Sequence, residues 1–93
     1  MDIRSLRENI NRADDQLVSA FKERMETALE IARYKKANGL AIHDPARERA
    51  VVERLTEGCD ESLSGSIEKL YETLFELSRE QQRRFMAEDE NHE

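Results

Sequence analysis

Apolar residues recur along the first third of the chain at Ile3, Leu6, Ile10, Ala13, Leu17, Ala20/Phe21, Ala28 and Ile31. The steps alternate between three and four residues, the spacing of one face of a helix. Nothing between Asp2 and Asn38 breaks it: Asp2 is a suitable N-cap, and Asn38-Gly39 is a stop signal. A second segment opens at Asp44-Pro45, a capping residue followed by proline at the first helical position. Arg47, Val51, Val52 and Leu55 follow at helical spacing, and Gly58 ends it. The third segment starts between Asp60 and Ser64, with Gly65 in its first turn. Its seam runs Leu63, Ile67, Leu70, Leu74, Leu77 or Ser78, Gln81 or Gln82, and Phe85. Strand-like alternation is absent. The pattern predicts an all-α chain of three helices, the first very long, in a single domain over residues 1–86. Residues 87–93 read as an acidic, frayed tail.

The first helix raises a geometric problem. About 36 residues at ~1.5 Å each span ~54 Å. A compact domain of this length has a diameter of roughly 32 Å. The seam therefore needs a partner outside its own globule, and a second copy of the chain is the simplest one. A plain antiparallel coiled-coil dimer is the other reading of the same pattern.

Composition narrows the class. Charged residues make up 39% of the 93 residues, with three Gly and one Pro, which excludes collagen-like and Gly/Pro-rich disordered chains. No apolar run approaches the ~20 residues of a membrane span, and the N-terminus lacks a signal peptide's apolar segment. The single Cys59 makes no internal disulfide, and no zinc-ligand spacing occurs. A reduced, cytoplasmic protein without metal or other cofactor is expected. Net charge is −6, and removing the four acids of the tail leaves −2 for the body. That balance argues against nucleic-acid binding, which needs a basic face. It leaves room for a small anion in a local basic pocket.

Cations interrupt the first seam. Arg24 occupies the slot between Ala20/Phe21 and Ala28, and Lys35 comes four after Ile31. Eleven residues apart, the two are within ~20° of alignment. Unpaired buried cations are costly, so an anion must meet them. Carboxylates of a partner chain could do so; a ligand could as well. On the third helix, Ser78 and Gln82 share a face and continue the line of Ile67, Tyr71 and Leu74. They read either as oxygen-directed polar groups or as the exposed end of a helix. Arg47 and Glu48 stand in the first turn of the second helix, beside the Asp44 cap and free backbone N–H groups. They read as ligand contacts or as a solvated pair. Arg7 lies ~25 Å along the axis from Arg24 and can join it only from an antiparallel partner chain. His43 and Cys59, in the connections, read as incidental.

Taken in order, these residues resemble the all-helical AroQ-class chorismate mutases. The likeness covers Leu6 to Gln82: Leu6-Arg7-x-x-Ile10, Asp14 or Asp15 then Leu17, and Glu23-Arg24-Met25. It continues through Tyr34-Lys35-x-x-Asn38-Gly39, Asp44-x-x-Arg47-Glu48 and Ser78-Arg79-x-x-Gln82. Each motif alone is weak; six in order are specific. The connection between the second and third helices is somewhat short for the family. The resemblance implies an interlocked homodimer with two active sites, each built from both chains, and a role in aromatic amino acid biosynthesis. It implies that Arg7 of one subunit and Arg24, Lys35 and Arg47 of the other clamp the two carboxylates of chorismate, with Ser78 assisting. Glu48 and the backbone at Asp44 would hold the ring hydroxyl, and Lys35 and Gln82 would donate to the ether oxygen.

The chemistry fits the residues. Chorismate becomes prephenate by an intramolecular [3,3] shift, which requires positioning and charge stabilisation rather than a nucleophile. Isochorismate-pyruvate lyase, which shares this fold, and a non-catalytic helical dimerisation module are the competing readings. The acidic end after Phe85 reads as a natural terminus and favours a stand-alone enzyme over a domain of a fused protein.

Overall fold

The computed structural model describes residues 2–90, the last three by backbone alone. Among them are three helices and no strand: α1 (Ile3–Ala37), α2 (Pro45–Thr56) and α3 (Glu61–Glu90). Asp2 caps α1, its side chain accepting from the Ser5 N–H at 2.9 Å. At the other end Gly39 adopts φ +67°, a left-handed value that favours glycine. The Leu40 N–H returns to the Lys35 carbonyl at 2.8 Å and the Gly39 N–H to Lys36 at 3.3 Å. This Schellman arrangement ends α1 at Ala37 and fixes Lys35 in the last turn.

Asp44 caps α2, accepting from the Arg47 N–H at 3.1 Å, with Pro45 behind it. Gly58, at φ +81°, turns the chain toward α3. Asp60 opens α3 by accepting from the Leu63 N–H at 2.9 Å and the Ser62 hydroxyl at 2.8 Å. Each helix thus starts at an Asp whose carboxylate satisfies orphan N–H groups. α3 runs to Glu90, four residues past the boundary expected at Met86. Residues 91–93 of the expected tail lie outside the described residues.

α3 packs against both α1 and α2, whose backbones do not pack closely on each other. The chain is elongated, 58 × 28 × 15 Å, with a radius of gyration of 16.9 Å. A compact chain of this length would have about 12 Å. Among the described residues, only Ala32, Val51, Met86 and Ser78 are buried. From Ile3 to Ala20 every residue of α1 is exposed. The inward face of α1 begins at Phe21 and continues through Met25, Ala28, Leu29, Ala32 and Lys35.

The α3 seam splits in two. Ile67, Tyr71, Leu74, Ser78 and Gln82 face the rest of the chain, whereas Leu63, Leu70, Leu77 and Phe85 are exposed. A helix apolar over this width has more surface than one neighbour can cover. Among the described residues, no helix is long and apolar enough to cross a membrane.

Candidate active site

Ser78 is the one polar residue in the small core, 7% exposed, its hydroxyl donating to Met25 Sδ at 3.5 Å. It marks a cavity of about 210 Å³ where the three helices meet. α1 contributes Arg24 and Lys35, the first turn of α2 contributes Arg47 and Glu48, and α3 contributes Ser78 and Gln82. Asp44 lines it from the cap position. Seven of the eight residues expected at the site therefore surround one cavity. The eighth, Arg7, is exposed in the second turn of α1, away from it.

The basic side chains here are poised rather than paired. Arg24 lies over the faces of Tyr71 and Phe75, 5.3 and 5.5 Å from the ring centroids. The two rings meet edge to face at 5.8 Å, forming a rigid shelf for the guanidinium. Lys35 Nζ donates to the Ile42 carbonyl at 3.5 Å. Among the described residues, Arg24, Lys35 and Arg47 have no carboxylate partner. The anion that meets the Arg24–Lys35 face, whether a partner chain's carboxylate or a ligand, therefore comes from outside the described residues.

Two of the titratable lining residues, Arg79 and His43, were not expected. Arg79 Nη1 donates to Glu48 Oε2 at 2.7 Å, and the side chains are 31% and 29% exposed. His43, read from the sequence as incidental, also lines the cavity, with Nε2 3.7 Å from Glu48 Oε1. The signal for His43 was its place directly before the Asp44 cap, because a residue preceding a cap is carried with the helix end. Arg79 was legible only as the neighbour of Ser78. Four cations, Arg24, Lys35, Arg47 and Arg79, face two carboxylates, Asp44 and Glu48. The excess of two positive charges matches a dicarboxylate.

Two larger grooves flank the cavity. One, of about 470 Å³ between α2 and α3, is lined by Glu48, Glu53, Glu68 and Glu72, the wrong sign for an anion. The other, of about 460 Å³, is mostly apolar beside Arg79, Arg83 and Met86. Among the described residues, no group of three His, Cys, Asp or Glu side chains could hold a metal ion.

The all-helical fold and a cavity lined by Arg24, Lys35, Arg47 and Arg79 beside the neutral donors Ser78 and Gln82 suit a small anionic ligand. Residues 6–83 match the family described as chorismate mutase type II, and the chain belongs to that family. It is an isomerase of chorismate. A chorismate mutase of Methanocaldococcus jannaschii is 27% identical over 88 residues, covering 92% of this chain and 89% of that protein. The bifunctional chorismate mutase/prephenate dehydratase of Aquifex aeolicus is 33% identical over 54 residues, 58% of this chain but 15% of that protein. No solved structure matches the chain significantly.

Proposed function

We propose that this chain converts chorismate to prephenate in a site completed by a second copy of itself. The carrying observation is that Arg24, Lys35 and Arg47 face one cavity without a carboxylate partner, opposite Ser78 and Gln82. The reaction breaks one C–O bond and forms one C–C bond within a single molecule. Its electron pairs move around a six-membered ring, and the ether oxygen becomes a ketone oxygen. No proton needs to be transferred.

The protein's task is to fold the enolpyruvyl arm over the ring. Arg24 and Arg47, with Arg7 of the partner chain, hold the two carboxylates through paired N–H donors. Ser78 adds a hydroxyl at one of them. Glu48 and the backbone at Asp44 hold the ring hydroxyl. Lys35 and Gln82 donate to the ether oxygen. Negative charge grows on that oxygen as the C–O bond stretches, so these two donors bind the transition state more strongly than the substrate.

The second copy is argued from the bare half of α1. Ile3, Leu6, Ile10, Leu17 and Val18 are all exposed on the part of α1 that precedes its inward face at Phe21. Apolar surface of this extent on a soluble chain needs a partner. An antiparallel copy interlocked through α1 would cover it and carry Arg7 to the cavity. The Aquifex relative joins its mutase to a prephenate dehydratase, which supports a place in phenylalanine and tyrosine biosynthesis. A cytoplasmic location fits the unpaired Cys59 thiol.

The test is incubation of the purified protein with chorismate, following its absorbance and the appearance of prephenate. Prephenate without pyruvate is expected. Pyruvate released from isochorismate, with chorismate untouched, would replace this reading by the lyase. Inertness of the folded dimer toward both substrates would leave only the dimerisation module.

A further inference from the structure

Glu48 poses an electrostatic difficulty. Its carboxylate lines a cavity that must admit two more carboxylates. Like charges in a partly desolvated site repel strongly. The difficulty is met from α3, where Arg79 Nη1 contacts Glu48 Oε2 at 2.7 Å across 31 residues of chain. Both side chains are about two-thirds covered, so the pair is screened less than an ordinary surface bridge. Arg79 lies one residue after Ser78 and three before Gln82, on the turn of α3 that faces α2. The arrangement leaves Oε1 unclaimed by Arg79, with His43 3.7 Å away.

We propose that Arg79 is a positioning residue: it holds Glu48 Oε2 and cancels its charge, leaving Oε1 as the acceptor for the substrate's ring hydroxyl. This rests on the assignment of Glu48 to that hydroxyl. Without Arg79, the Glu48 side chain rotates freely and its charge opposes the incoming dianion. A charge-assisted hydrogen bond corresponds to roughly 10- to 100-fold in an equilibrium constant. Arg79→Ala should therefore lower kcat/KM by about that factor. Because the hydroxyl is held in ground and transition states alike, the loss should fall mainly on KM.

The experiment is a double-mutant cycle in the full-length protein with chorismate as substrate: wild type, Arg79→Ala, Glu48→Gln and the double variant. Thermal melting of each checks that the protein is folded at the assay temperature. The expected result is that Arg79→Ala costs activity in the wild-type background and nothing further in the Glu48→Gln background. Arg79→Lys, which restores a charge and one donor, should recover most of the loss; it also serves as the second variant should Arg79→Ala not fold.

Equal losses from Arg79→Ala in both backgrounds would overturn the proposal, because Arg79 would then act on the substrate directly. A loss in kcat alone would do the same. Full activity of folded Arg79→Ala beside an impaired Glu48→Gln would reduce the contact to a tether between α2 and α3. Full activity of Glu48→Gln itself would remove Glu48 from the hydroxyl and the Arg79 role with it.

Discussion

Arg7 and Arg24 stand on the same helix, 17 residues apart, and at ~1.5 Å per residue their Cα atoms are ~25 Å apart along the axis. α1 is unbroken between them, so no bend brings them together. That gap is far beyond the reach of an arginine side chain. If both hold one small substrate, they come from different chains. Removing either loses about two charge-assisted hydrogen bonds, at ~1.5–3 kcal/mol each. At ~1.4 kcal/mol per decade, Arg7→Ala and Arg24→Ala should each be about 10²- to 10⁴-fold impaired. In a mixed dimer the two defects fall in one site, and the other site receives an intact Arg7 from one chain and an intact Arg24 from the other. Random pairing makes roughly half the dimers mixed, each with one good site of two, so about a quarter of wild-type activity should return. The assay is chorismate consumption after the two inactive proteins are unfolded together and refolded, with heterodimer formation checked by a mass tag on one chain. Heterodimers as inactive as their parents would refute the shared site and the antiparallel arrangement with it.

Lys35→Ala should lower kcat by about 10²–10³, the loss typical of one transition-state donor, with the helical content unchanged by circular dichroism. Gln82→Glu should move the activity profile toward acid, because a carboxyl donates only when protonated, whereas the amide donates at any pH; pH–rate profiles compare the two. Asp44→Ala should destabilise the protein by about 1 kcal/mol through loss of the α2 cap, while Asp44→Asn should not, as urea unfolding measures. The Ser5 N–H at Asp2 and the Leu63 N–H at Asp60 each hold a cap carboxyl below its ordinary value of 3.8. Such depressed groups stabilise the fold fully above pH 3.8, and that stabilisation is lost as pH falls below it. Acid titration of helicity should show this loss, and Asp60→Asn should diminish it.

The helices were legible because their ends carry local chemistry. Asp2, Asp44 and Asp60 cap them, and Gly39 and Gly58 adopt the positive φ values that end them. The face shared by Arg24 and Lys35 followed from helical geometry alone, and the cavity has both side chains on its wall. The division of the α3 seam was not legible. Periodicity reports that Leu63, Ile67, Leu70 and Leu74 are apolar, but not which of two neighbours each one meets. Here Ile67 and Leu74 face the chain's own helices, while Leu63 and Leu70 are left outside. The Arg79–Glu48 contact was invisible for a similar reason. Its partners are 31 residues apart on different helices, and only the packing of α2 on α3 decides that they meet.

The exposed apolar surface and the cavity are joined through one side chain. Arg24 lines the site, and it also lines an apolar groove of about 300 Å³ between α1 and α3, with Leu17, Phe21, Leu70 and Leu74. The groove is open in the single chain, which leaves one side of the half-buried guanidinium accessible to solvent. In the proposed dimer the partner fills that groove. Removing the water lowers the effective dielectric around Arg24 and strengthens its attraction for a substrate carboxylate, since Coulomb energy scales inversely with dielectric. The Tyr71–Phe75 shelf keeps the guanidinium in place while this happens, so the gain is not spent on reorienting the side chain. A chain with so small a core of its own would gain two things from that one proposed contact. A partner that covers Ile10 and Leu17 would also bring Arg7 and dry Arg24. On this reading assembly and catalysis cannot be separated by mutation of the groove: a polar residue at Leu17 or Leu70 would weaken the dimer and the carboxylate clamp together.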